Sequence, residues 1–96
     1  MERSRVQTLK EVIEQYLKET PLHRKFQERH LMECWYELLG KTVTKNTKKL
    51  YIRKDILYVQ LTSSVLRNEL FMMKGDIISK LNERVGEQII TGIVFT

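Results

Sequence analysis

The chain contains few residues that staple a fold, interrupt its elements or place it in a membrane. Cysteine and proline each occur once and glycine four times in 96 residues. Cys34 has no partner for an internal disulfide, which fits a reducing compartment. No apolar run approaches the roughly 18–20 residues of a membrane helix, and Lys10, Glu11 and Glu14 interrupt any signal-peptide-like region. These absences predict a cytoplasmic protein with no membrane partner.

The chemistry of a catalytic or metal site is also scarce. His30 and Cys34 have a metal-compatible spacing with His23 further upstream, but a zinc site needs three or four ligands and nothing completes this one. Ser63 and Ser64 lack a nucleophile elbow and are better interpreted as helix caps. The sequence contains no phosphate-binding glycine loop. We therefore predict no catalytic residue, no metal, no cofactor and no enzymatic activity.

What is present is the pattern of one α+β domain spanning 1–96, with 1–7 expected to be flexible. Apolar residues at helical spacing predict a first helix from about Thr8 to Lys18, stopped by Pro21, and a second that ends at Gly40 in a left-handed cap. The stripe of the second helix is Leu22, Phe26, Leu31, Cys34, Trp35, Leu38 and Leu39. We expect Trp35 to be buried between this helix and a sheet.

A third helix follows Ser63 and Ser64, and Gly75 marks a kink or break in it. Its predicted core stripe is Leu66, Leu70, Met73, Ile77, Leu81 and Val85. Phe71, Met72 and Ile78 widen the stripe, either to pack on the first helix or to form a self-association or partner surface. Residues 88–95 are rich in isoleucine and valine and predict a closing strand.

Two runs of alternating residues between Gly40 and Ser63 predict a β-hairpin with Lys54 and Asp55 in its loop. In this register Leu50 faces Val59 and Ile52 faces Leu57 on the side toward the helices, together with Leu61. Tyr51 then faces Tyr58 on the opposite side. The predicted architecture has the order α-α-β-β-α-β, as a two-layer domain with a three-stranded sheet and helices on one face.

The positive charge is concentrated in one segment. Residues 1–40 carry seven basic and seven acidic side chains and residues 56–96 carry four of each, so the net charge of +5 lies within 41–55. Neutral donors of the kind that contact phosphate (Thr42, Thr44, Asn46 and Thr47) are interspersed there. Basic groups beside aromatic rings are typical of single-strand binders. The candidate nucleic-acid-binding residues are Lys41, Lys45, Lys48, Lys49, Arg53, Lys54, Tyr51 and Tyr58. A lysine-rich edge also protects a sheet from aggregation and a tyrosine pair is ordinary sheet packing, so both interpretations stand.

From Leu9 to Phe95 the chain resembles the DciA-like family of bacterial proteins. The resemblance is carried by WYELLG (35–40), by TKNTKKLYIRKDILYVQLTSSVLRNEL (44–70), and by KLNERVG and IITGIVF near the end. It implies a KH-like domain that binds DNA and cooperates with the replicative helicase on single strands. The family's Trp, Gly and Ser-Ser positions fall on Trp35, Gly40, Ser63 and Ser64, which we interpret as structural.

Two departures from that pattern bear on function. A KH domain's GxxG loop is absent, because 40–43 reads GKTV, so RNA binding in the standard KH manner is not expected. Relatives with a C-terminal extension use that extension to engage the helicase. The sequence here stops at Thr96, just after the last predicted strand, so we expect the helicase contact to be made by this domain itself or not at all. The partners this implies are single- or double-stranded DNA, with RNA as a further candidate, and the helicase. The alternative is a protein-interaction module or RNA-binding KH-like domain without a replication role, and the oligomeric state stays open.

Overall fold

The computed structural model describes residues 9–13, 15 and 21–96. Residues 9–13 and 15 are helical, and the remainder of the predicted first helix lies outside the described residues, as do residues 1–7, which were expected to be flexible. The elements that follow are α1 (Pro21–Asn46), β1 (Thr47–Arg53), β2 (Ile56–Leu61), α2 (Ser64–Met72), α3 (Lys74–Val85) and β3 (Gly92–Phe95). The α+β class and the element order are confirmed, with the predicted third helix divided into α2 and α3.

The sheet has the order β1-β2-β3. Strands β1 and β2 pair antiparallel with Leu50 opposite Val59, Tyr51 opposite Tyr58 and Ile52 opposite Leu57, which confirms the predicted register. Strand β3 pairs parallel to β2, with Val94 level with Tyr58. A parallel neighbour needs a long crossover connection, and α2 and α3 supply it.

The core lies between the inner face of the sheet and the helices. Leu57, Val59 and Leu61 are buried on that face, and Leu50 and Ile52 pack against the same cluster. The core also contains Leu31, Cys34, Trp35, Val43, Leu70, Ile77, Leu81, Ile89, Ile90 and Ile93. Among the described residues the core contains no buried polar or charged residue. Apolar burial therefore supplies most of the stabilisation of this layer.

Trp35 is fully buried, as predicted, and it joins α1 to the first strand. Its ring centroid lies 6.4 Å from that of Phe95. Its indole Nε1 donates to Thr47 Oγ1 at 3.2 Å, and that hydroxyl donates to the Val43 carbonyl at 2.7 Å. The one polar atom of the indole is thus satisfied at the point where α1 becomes β1.

Gly40 does not end the helix in a left-handed cap, which corrects the prediction. Its backbone has φ 80° and ψ 178°, a conformation that is essentially restricted to glycine, and the chain resumes helical geometry as far as Asn46. Thr44 Oγ1 donates to the Gly40 carbonyl at 2.8 Å across this kink. The helix bends at Gly40 and delivers its last turns directly to β1.

Three residues assigned to core stripes are exposed instead. Leu22 and Phe26 are exposed because they lie nine and five residues before Leu31, which rotates them about 180° and about 140° away from the buried face. Met73 is exposed because the helix breaks there, two residues before Gly75. The predicted kink or break near Gly75 is therefore a break at Met73, between α2 and α3.

The widened stripe of the third helix divides in the same way. Ile78 packs against the core, whereas Phe71 and Met72 are exposed. Residues 9–13 are exposed as well, so the predicted packing of Phe71 and Met72 on them is wrong for the described residues.

The closing strand is shorter than predicted because a side chain takes its first hydrogen bonds. Asn82 Oδ1 accepts from the backbone N–H of Ile89 and Ile90, and Asn82 Nδ2 donates to the Ile90 carbonyl at 2.8 Å. These groups are therefore unavailable to the sheet ladder, although both isoleucines are buried. Regular pairing begins only at Gly92.

Candidate nucleic-acid interface

The six basic candidates lie on three consecutive pieces of backbone. Lys41 and Lys45 are one helical turn apart on the end of α1, after the kink at Gly40. Lys48, Lys49 and Arg53 belong to β1, and Lys54 opens the turn to β2. All six side chains are exposed. Because β1 is an edge strand, this basic segment forms one border of the sheet.

A β-bulge increases the charge density of that border. Thr47 pairs with Leu61 and Lys49 pairs with Gln60, so Lys48 is the extra residue between them. In regular pairing two successive side chains would point to opposite faces of the sheet. The bulge allows Lys48 and Lys49 both to be exposed.

The tyrosines lie on the outer face, the sheet face opposite the helices. The Tyr51 and Tyr58 rings are stacked, with centroids 5.0 Å apart and planes 9° apart. The Lys49 ammonium lies 5.7 Å from the Tyr51 centroid, and the exposed Val94 extends the row onto β3. Cation and ring are thus adjacent, which is the arrangement that backbone-plus-base contacts require.

Asp55, the one acid of residues 41–55, is engaged by an arginine from outside the segment. Arg24 Nη2 donates to Asp55 Oδ1 at 2.8 Å and also to the carbonyls of Lys54 at 3.1 Å and Ile89 at 2.9 Å. Arg24 Nε pairs with Glu28 at 3.2 Å. The hydrogen bond to Asp55 is the largest of the effects that raise the pKa of Arg24.

The basic segment therefore retains its charge. Among the described residues, the ion pairs are formed by His23, Arg24, Arg29 and Arg84, and none includes any of the six candidates. Lys54 has φ 56°, a left-handed conformation at the tip of the hairpin, which costs a non-glycine residue about 1–2 kcal/mol. The result is an exposed border of cations in which the one acid of residues 41–55 is paired with Arg24.

Three of the four neutral donors of the segment, Thr44, Asn46 and Thr47, donate hydrogen bonds inside the protein. The Thr44 hydroxyl donates to the Gly40 carbonyl and the Thr47 hydroxyl to Val43. Asn46 donates to the Thr42 carbonyl at 2.8 Å and accepts from the Thr62 hydroxyl at 2.8 Å. The prediction that they serve as phosphate donors is therefore wrong for Thr44 and Thr47, whose single hydroxyl protons are already committed.

The remaining candidate chemistry keeps a structural role. The Ser63 hydroxyl accepts from the Leu66 N–H at 3.2 Å and caps α2, as predicted. Cys34 is buried, and desolvation raises the pKa of its thiol. Within the described part of the chain, no three His, Cys, Asp or Glu side chains are grouped so that they could bind a metal ion. The helices described there are too short or too polar to cross a membrane.

Two contributors to this face were missed by sequence reasoning. Arg24 lies 31 residues before Asp55, and a lone arginine in a helix gives no signal of a distant partner. For Val94 the sequence predicts a strand but not the face of the sheet on which its side chain lies. That face depends on the parallel register of β3 with β2, which tertiary pairing determines. Both positions are fixed by the packing of α1 and β3 on the hairpin.

Comparison with known proteins gives one match. The family model described as "Dna[CI] antecedent, DciA" matches residues 8–95. Neither the curated proteins nor the solved structures contain a significant match.

Arg24 should contribute more to stability than another arginine of the same helix. We expect Arg24→Ala to lower the free energy of unfolding by about 1–2 kcal/mol, because three acceptors lose one donor group. Arg29→Ala is the matched control, since its pair with Glu33 at 3.9 Å is highly exposed and should be worth less than about 0.5 kcal/mol. Urea unfolding of both variants measures the difference, and equal losses would contradict the assigned role of Arg24.

Proposed function

The chain belongs to the DciA family, and from this membership and its basic sheet face we propose a non-enzymatic accessory of DNA replication that binds single-stranded DNA. The family is one of helicase loaders, and this supports a role for the chain as a replication accessory that acts with the replicative helicase. The observation that carries the proposal is the border of six exposed, unpaired cations beside a stacked tyrosine pair. In this proposal the domain assists the helicase on single strands.

In this proposal the strands of the sheet have separate tasks. Lys49, Tyr51 and Arg53 alternate along β1 with about 6.6 Å between successive members. A nucleic-acid backbone lying along β1 would meet a cation at each end of this row, with Lys49 and Arg53 about 13 Å apart, and its bases would then lie over Tyr51, Tyr58 and Val94. Lys41, Lys45 and Lys48 extend the phosphate track beyond the strand.

Single-stranded DNA fits this face better than a duplex. The described outer face carries rings and an exposed Val94 at the level where bases would lie. Unpaired bases can stack on such rings, whereas the bases of a duplex are already stacked on one another. The rigid donors for reading base edges in a groove are few here, because Asn46, Thr44 and Thr47 are engaged internally. We therefore expect little sequence preference.

Neutralising the basic segment should reduce the ionic part of binding. We expect about three to five of the six cations to reach the phosphates of one strand together, so log Kd should change with log salt with a slope of about 2 to 4 in magnitude for a short single strand. The triple change of Lys45, Lys48 and Lys49 to glutamine should lower that slope by about 2 and weaken all sequences alike. Fluorescence anisotropy with a labelled oligonucleotide over a salt series measures it.

A second triple variant controls for net charge. Lys10, Lys25 and Lys80 are exposed and lie outside the basic segment, and their change to glutamine removes the same three charges. We expect this control to retain the parental slope. If the segment variant binds as well as the parent at every salt concentration, the segment is only a solvated edge and the proposal fails.

The tyrosines should contribute in a different way. Changing Tyr51 and Tyr58 to alanine should cost about 1–3 kcal/mol of binding for each base that stacks, and should leave the salt slope nearly unchanged because no charge is removed. Phe71→Ala, another exposed aromatic, serves as the control. An unchanged affinity of the double tyrosine variant would show that the stacked pair is sheet packing alone.

The helicase partner gives a separate test. The purified chain should bind a hexameric replicative helicase and increase the amount that is loaded on single-stranded DNA. Binding is measured by co-sedimentation and loading by helicase retained on an immobilised strand, with unwinding activity as the control for the helicase. No association at about tens of micromolar would leave the family membership as a likeness of fold only in this chain.

A further inference from the structure

We propose that two copies of this chain associate through apolar stripes at the N-terminal end, with the helical residues 9–13 of each copy seated on the start of α1 of the other. The first stripe consists of Leu9, Val12 and Ile13. The second consists of Leu22 and Phe26 on α1. The association goes beyond the proposed function, because it uses neither the basic segment nor the outer sheet face.

Helical spacing places each stripe on a single face. Leu9, Val12 and Ile13 are separated by three and four residues within a helical segment, so they lie side by side. Leu22 and Phe26 are four residues apart on α1. Each pair of stripes is therefore long enough for helix-against-helix packing over about one turn to one and a half turns.

The second stripe points away from the core of its own copy. Leu31 is fully buried against the sheet, and Leu22 precedes it by nine residues, a rotation of about 180° around the helix. Leu22 is 66% exposed and Phe26 69% exposed. Leu9, Val12 and Ile13 are also more than half exposed, so the two stripes do not cover each other within one chain.

The second stripe has depressions on its surface that suit aliphatic side chains of another helix. Concavities of about 390 Å³ and about 290 Å³ lie on the two sides of Phe26. The larger is lined by Leu22, His23, Phe26 and Gln27. Aliphatic side chains on a second helix fit such depressions as ridges fit grooves. Val12 and Ile13 are residues of that kind, whereas Phe26 itself is the projecting ridge between the concavities.

Area and charge favour a second copy as the occupant. The five side chains expose roughly 500 Å² of apolar surface, so two copies would bury about 1,000 Å², the lower limit of a specific interface. Both signs of charge flank the stripes, with Lys10 and Glu11 beside the first and the Arg29–Glu33 pair beside the second. Two copies therefore meet without the repulsion that the basic segment would cause. A reciprocal contact of this kind closes as a two-fold dimer.

Sedimentation velocity over about 5–500 µM tests the association. The parent should move from the mass of one chain toward twice that mass, with a midpoint of about tens of micromolar. Phe26→Glu should raise the dissociation constant at least about 10-fold. Val65→Glu is the matched control, because Val65 is 68% exposed on α2, outside both stripes, and it should leave the constant unchanged. Since the contact is apolar, added salt should not weaken it, in contrast to the proposed nucleic-acid binding.

Mixing two variants tests which stripe meets which. Val12→Glu removes the first stripe and Phe26→Glu the second, so each variant alone should stay monomeric. An equimolar mixture retains one intact contact of the two and should form a weak mixed dimer, detected with a label on one variant. A parent that is monomeric over the whole range would overturn the proposal, as would a Phe26→Glu variant that dimerises like Val65→Glu. A mixture without mixed dimers would overturn the reciprocal pairing.

Discussion

The alternation of side chains along β1 and β2 fixes both the core and the candidate interface. Leu50, Ile52, Leu57 and Val59 occupy the inner face, where a shift of one residue would expose all of them to water. That shift would lose the burial of several large apolar side chains, and full burial of each contributes about 1.5–3 kcal/mol to the free energy of unfolding. The same constraint holds the intervening positions outside. Lys49, Tyr51 and Arg53 are therefore presented together because the core specifies the register, whether or not a ligand binds them.

Charge on this face depends on one long-range contact as much as on local composition. Lys54 and Asp55 are adjacent at the tip of the hairpin, where the carboxylate would ordinarily neutralise part of the positive charge. Arg24 instead draws the Asp55 carboxylate toward α1 and the loop at Ile89. The contact ties the beginning of α1 to the hairpin and to the segment before β3, so one guanidinium joins three parts of the fold. Because Asp55 pairs with Arg24, the neighbouring cations form no ion pair among the described residues.

The hairpin, its register and the burial of Trp35 could be predicted from the sequence because each depends on a short periodic pattern or on one large apolar side chain. The positive φ of Gly40 could be predicted, but not whether the helix ends there or resumes. The outcome depends on the hydrogen bond from Thr44 to the Gly40 carbonyl and on the contact between Trp35 and Thr47. The delayed start of β3 follows from Asn82, which competes with the ladder for backbone N–H groups. Arg24 and Val94 gain their positions only from tertiary packing.

The exposure of Leu22 and Phe26 shows how periodicity can mislead at the end of a helix. Their spacing of four agrees with a core stripe, and only the step of five to Leu31 separates them from it. That rotation turns an apparent continuation of the core into a second apolar face on α1. The sheet lies on one side of this helix, and the side chains of Leu22 and Phe26 are exposed on the other side. Contacts at the basic border and at the apolar stripes are governed by different forces, since salt screens the first and leaves apolar burial at the second largely unchanged. If both proposals hold, binding of a polyanion and self-association would respond independently, the first to salt and the second to protein concentration.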